Sequence, residues 1–140
     1  MSVEADVAQS IATDVGALTY GTNCRVGPVR PPSDKQNLSG AIPHECVFVH
    51  ETGGFPKLSY VDGDNKGGLE PITVQVLVRS GVRDYDGGKA LADLVLAALD
   101  MSPPAGYIEC RTSAPRPGFV VEDETGHYLW SINATLTLGV

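Results

Sequence analysis

"PITVQVLVRSGVRDYDGGKALADLVLAALD", Pro71–Asp100, changes its hydrophobic period halfway along. In its first part Ile72, Val74, Val76 and Val78 alternate with Thr73, Gln75, Leu77 and Arg79. A two-residue period puts the first set on one face of a strand, so this is a half-buried β-strand. From Asp84 the period lengthens. Asp84 or Asp86 can cap a helix by accepting from its free N–H groups, and Leu91, Leu94, Val95, Ala98 and Leu99 then form an apolar stripe. Ser102-Pro103-Pro104 stops the helix. The stripe of this helix has to cover the apolar face of a sheet that includes the strand before it.

The flanking sequence extends the same pattern. Val3, Val7, Ile11, Val15 and Leu18 recur at steps of three and four, predicting an amphipathic first helix that ends at Gly21. Thr22–Val26 reads as a short strand, and the prolines and glycines of 27–43 keep that segment irregular. Cys46–His50 reads as a strand that stops in His-Glu and breaks on Gly53 and Gly54. Residues 53–68 read as an exposed polar loop, too rich in glycine for a core element. Tyr107–Thr112 is a further strand, with Ile108 and Cys110 on one face. The C-terminal stretch from Phe119 to Leu138 is a long β-hairpin. It turns at Asp123-Glu124-Thr125-Gly126, where Gly126 can take positive φ. In its last strand Trp130, Ile132, Ala134, Leu136 and Leu138 face one way, and Ser131, Asn133, Thr135 and Thr137 the other.

The order helix, strands, helix, strands predicts an α+β fold in one domain over 1–140, a mostly antiparallel or mixed sheet with two helices on it. Val74, Val76, Trp130, Ile132 and Leu136 are expected beneath Leu91, Leu94 and Leu99.

Composition narrows the function. Asp and Glu number 17 against 10 Lys and Arg, a formal charge of −7. Tight non-specific binding to nucleic acid needs clustered cations that displace counterions, so it is disfavoured. The N-terminal residues have no basic region before an apolar run, so no signal peptide is expected. The apolar run Leu91–Leu99 is too short to cross a bilayer. Cys24, Cys46 and Cys110 are widely spaced without a CxxC pair, which fits buried thiols in a reducing compartment. The sequons at Asn37 and Asn133 carry no weight in a chain with no export signal.

Each motif that hints at chemistry fails on a residue it needs. A zincin helix would place a second histidine at position 54, which is Gly54, and the segment is a strand. His44 and His50 share strand parity but lack an acid and a third ligand at metal spacing. The segment Asp62–Thr73 resembles a calcium loop at Asp62, Asp64 and Gly67, yet Lys66 stands at the fifth place and Thr73 at the twelfth. "DGGKA", Asp86–Ala90, lacks both the first glycine of a P-loop and the Ser or Thr after its lysine. Arg79, Arg83 and Arg111 are interleaved with Asp84, Asp86 and Glu109, which makes a neutralised face more than a phosphate site. No GxSxG elbow is present. The expectation is no catalysis, no cofactor and no metal.

Taken together, "VFVHETGG", the strand and helix of 71–100, and "DETGHYLWSINATLTL" resemble the tail terminator proteins of long-tailed bacteriophages. The resemblance rests on E-T-G-G at Glu51–Gly54, Q-V-x-V-R at Gln75–Arg79, a D-Y-leading helix at Asp84–Leu99 and the closing hairpin at Asp123–Asn133. Ala134 departs from the aromatic residue usual in the family after the hairpin asparagine, and residues 27–43 match nothing closely. The resemblance implies a structural virion protein at the head–tail neck, assembled in the host cytoplasm. It would form a ring, typically of six copies, that caps the tail tube, ends tube growth and meets a head-completion or connector protein. DNA would pass through the ring without being held, and no membrane is involved. The implied assembly contacts are Glu51, Thr52, Gly53, Gly54, Arg79, Arg83, Asp84, Tyr85, Asp123, Glu124, Thr125, Gly126 and His127. The alternatives are a head-completion or stopper protein, a tail-tube protein, or a small α+β ligand-binding or enzyme domain.

Overall fold

The computed structural model describes residues 2–32, 42–54, 58–62 and 65–139, with 58–62 and 65–67 described by their backbone. The parts of the two irregular regions at 33–41, 55–57 and 63–64, including the Asn37 sequon, lie outside the described residues.

The element order is α1 (Val3–Asp14), β1 (Cys24–Val26), β2 (Cys46–Gly54), β3 (Leu58–Asp62), β4 (Asn65–Arg79), α2 (Tyr85–Leu99), β5 (Glu109–Thr112), β6 (Gly118–Glu122) and β7 (Tyr128–Gly139). The seven strands form one mixed sheet with the path β1-β2-β4-β7-β5, β3 joining β4 and β6 joining β7. Of the pairings between these strands, β1–β2 is parallel and the other five are antiparallel. The α+β class is therefore as the sequence predicts.

β4 is the axis of the sheet. At 15 residues it spans about 50 Å. On one side it pairs with β7 from Leu69↔Gly139 to Arg79↔Leu129. On the other side it pairs first with β2 and then with β3. Val74, Val76 and Val78 point into the main core, where Trp130, Ile132, Ala134 and Leu136 of β7 join them. Both helices cover this face. Val3, Val7 and Ile11 of α1 and Leu91, Ala92, Val95 and Leu99 of α2 are buried in the same cluster. α1 is capped by the Ser2 hydroxyl, which accepts from the Ala5 N–H at 3.1 Å. A smaller cluster of Ile42, Cys46 and Phe48, with Val29 and Leu77 against it, covers part of the opposite face. Both faces of β2 are thus buried over Cys46–Val49.

The structure corrects the sequence reading at five places. α1 ends at Asp14, well before Gly21, and Val15 and Leu18 reach the core from the turn beyond it. β2 does not stop at His50 but runs on through Gly54. Within 53–68 the described residues are strand and not loop: Gly53 and Gly54 end β2, and β3 pairs with the first part of β4 from Leu58↔Leu69 to Asp62↔Asn65. Ile108 is exposed although Cys110 is fully buried. Leu94 is 56% exposed and belongs to no core cluster. The buried arc of α2 is instead Gly88, Leu91, Ala92, Val95 and Leu99. Gly88 and Ala92 decide this, since small side chains let the helix approach the sheet. A Cβ built at Gly88 would sit 2.5 Å from both the Ser80 Cβ and the Trp130 ring.

Candidate assembly surface

The residues proposed as assembly contacts fall at two separate places. Glu51–Gly54 are exposed along the second half of β2. Glu51 pairs with Val74, five residues along β4 from Arg79, a separation of roughly 17 Å. The remaining candidates gather at the other end of that ladder, where the turn before α2 meets the β6–β7 turn.

At the first place the glycines have reasons within the chain. The register between β2 and β4 shifts by one residue between Glu51 and Gly53, and Gly53 takes φ +107° in this bulge. Gly54 lies so close to the neighbouring strand that a Cβ would fall 2.3 Å from the Pro71 carbonyl oxygen. The close approach that these glycines permit is thus made to β4. Thr52 donates its hydroxyl to that of Thr73 at 2.9 Å, beside the uncovered polar face of β4 and β7.

The second place is built on hydrogen bonds. Asp84 caps α2, its side chain accepting from the Gly87 N–H at 3.0 Å. Arg83, at φ 56°, donates its N–H to the Gly126 carbonyl at 2.8 Å, which ties the two turns together. One carboxylate oxygen of Asp123 accepts from the Thr125 N–H, the Thr125 hydroxyl and the His127 N–H at 2.8–2.9 Å. Burial pushes this carboxyl up, but the three bonds outweigh it and hold the group down at about 2. Glu124 and Thr125 are exposed at the tip. Tyr85 is 42% exposed and joins Phe119, Tyr128 and Trp130 in an aromatic cluster, with ring centroids 5.2–5.9 Å from its own.

Two of the candidates are internal. His127 is 1% exposed, and its Nε2 lies 2.8 Å from the Nδ1 of His44. The rings are 12° from parallel with centroids 5.0 Å apart, which suits an in-plane N–H···N bond. The proton order follows from the partners. The Thr125 hydroxyl donates to Asp123, so it accepts from the His127 Nδ1–H at 2.6 Å. Arg79 is also 1% exposed. Its Nε donates to the His44 carbonyl at 2.7 Å, one Nη to the Pro43 carbonyl at 2.6 Å and the other to the Arg30 carbonyl. The guanidinium lies over Phe48, 5.1 Å from the ring centre. Burial lowers its pKa, which Cys46 and Asp123 oppose. Arg79 and His127 therefore clamp the irregular segment onto the sheet, and neither is a surface contact.

Of the interleaved charges, Arg111 pairs with Glu109 at the surface. Among the described residues no three His, Cys, Asp or Glu side chains gather as a metal site, and no helix is long and apolar enough to cross a membrane. All three cysteines are free and buried. Burial pushes the Cys24 thiol up to about 12 and those of Cys46 and Cys110 up to about 11.

The sequence reading missed an apolar surface. All five residues of β6 are exposed, with Phe119, Val120 and Val121 between 44% and 51%. The signal was the run of three apolar residues, in which a strand with one buried face would alternate.

What these elements define is an open-sheet α+β domain with polar turns at one end and unpaired strand edges. The chain belongs to the bacteriophage tail terminator protein family, whose model matches residues 30–140. That match takes in β2 to β7 and α2, and it makes the protein a component of the phage tail. No curated protein matches the chain.

Proposed function

We propose that the protein caps the phage tail tube as a ring, ends tube polymerisation and joins the tail to the head, without catalysis. The observation that carries this reading is the family match across residues 30–140. The ring would hold six copies. Its partners would be the tail-tube protein on one face and a head-completion or connector protein on the other, assembled in the host cytoplasm.

The placement of the candidate contacts supports a ring. The candidate contacts lie at opposite ends of the β2–β4 ladder, so each copy has a different surface for each neighbour. Such heterologous contacts form closed rings when the rotation between copies closes. The formal charge of −7 also fits a conduit, because a basic lining would bind phosphates and slow the passage of DNA.

Electron microscopy of purified tail tubes with added protein tests this. Rings at tube ends, and tubes that no longer elongate, are expected. Protein that neither forms rings nor binds tube ends overturns the proposal, and tight binding to duplex DNA at physiological salt overturns the conduit.

A further inference from the structure

Among the described residues β1, β3, β5 and β6 each pair with one strand, and β3 and β6 lie at opposite margins of the sheet. β3 belongs to an arm. β3 and the start of β4 pair with each other from Leu58↔Leu69 to Asp62↔Asn65, whereas β7 stops at Leu69↔Gly139. Beyond that point, among the described residues, the sheet is two strands wide, and β4 is the element packed against β3. A two-stranded ribbon without a third strand or a covering helix is marginally stable in water.

β6 is an open edge at the opposite margin. An exposed apolar edge strand is a template for pairing with another chain. A bulge at Val120, between the register pairs of Phe119 and Val121, would ordinarily blunt such an edge. Here the bulged residue is itself a valine, 51% exposed, so the surface stays apolar. A cavity of about 350 Å³ adjoins the strand, lined by Tyr85, Phe119, Lys89 and Arg116 among others. Lys89 and Arg116 have no ion pair among the described residues.

We infer that the β3–β4 arm of one copy lies along β6 of the next copy in the ring. The inference rests on the ring reading above and names its contact. β4 and β7 separate the two edges, so they cannot meet within one copy. β3 and β6 are both five residues long. Each side supplies what the other lacks, a third strand for the arm and a cover for β6. Since the arm and β6 are different surfaces, the contact repeats head to tail, as a ring requires.

The test uses two variants of the full chain, Tyr60→Cys in the arm and Val120→Cys on β6, mixed on tail tubes under mild oxidation. The native thiols are buried and stay out of the reaction. A disulfide joining the two different variants, in excess of either variant with itself, is expected. Val121→Asp, at an exposed site, is expected to lower ring yield about tenfold or more while the subunit melts as the parent does. Rings that form without the mixed disulfide, or whose yield Val121→Asp does not change, overturn the arm contact and leave the terminator reading standing. No rings and no tube-end binding by the parent protein overturns both.

Discussion

Replacing Arg79 by Met tests whether the irregular segment is held by one side chain. Met keeps much of the hydrocarbon volume but supplies no donor. The guanidinium donates to the carbonyls of Arg30, Pro43 and His44. Hydrogen bonds from a charged group contribute about 1.5–3 kcal/mol each, which gives roughly 5–9 kcal/mol for three. Burying the ion costs several kcal/mol against this. Arg30 and His44 are exposed and Pro43 is half-buried, so water can reach the freed carbonyls and the lower part of the range applies. The net loss expected is about 2–3 kcal/mol. With a urea slope of about 1–3 kcal/mol per molar, the midpoint should fall by about 1–2 M. Hydrogen exchange should speed up at Ile42–Val47 more than in α2. Arg79→Lys should recover less than half of the loss, because a single ammonium cannot reach three carbonyls as the planar fork does. An Arg79→Met midpoint equal to or above that of the parent would refute the clamp. It would mean that the burial cost cancels the three bonds.

Other expectations can be checked with the same denaturation measurement. Leu94→Ala should shift stability by no more than about 0.5 kcal/mol, since the side chain is exposed, while Val95→Ala or Leu99→Ala should cost about 1–5 kcal/mol through the cavity left. Gly88→Ala should destabilise by about 1–3 kcal/mol despite the better helix propensity of alanine, because the added methyl meets Ser80 and Trp130. Asp123 is held below its ordinary 3.8, so its stabilisation is complete above about pH 4 and is lost as pH falls through about 2. Asp123→Asn should cost about 1 kcal/mol at pH 7 and remove that part of the acid limb in a pH series. The three cysteines should resist a thiol reagent at pH 8 in the folded protein, since burial holds them as thiols up to about 11–12.

β4 and α2 were legible because each carries a long, regular apolar period, and β7 was legible for the same reason. Leu94 was misplaced because the stripe was drawn through the largest side chains. The sheet selected the arc holding Gly88 and Ala92, where the helix can come closest. β3 was missed because Gly and Asp around 62–68 were weighed as loop residues, although Asp62, Gly67 and Gly68 stand in paired strands. The candidate contacts at Arg79 and His127 failed for another reason. Polar residues at strand ends read as surface, and only the fold shows that the 42–45 stretch passes over them and supplies carbonyls and an imidazole. The exposed edge of β6 depends on strand order, which periodicity does not encode.

The position of β7 in the chain also affects how the fold is reached. β7 lies between β4 and the β5 and β6 edge, yet it is synthesised after all of them. Without it, Val74, Val76 and Val78 of β4 have a partner strand on the β2 side only, and β5 and β6 have no partner strand. The β4–β7 ladder closes a larger sequence separation than the β2–β4 ladder, so it raises the contact order and should slow folding. A chain stalled before Tyr128 would display the central apolar strand as an open edge, which is the state most prone to aggregate.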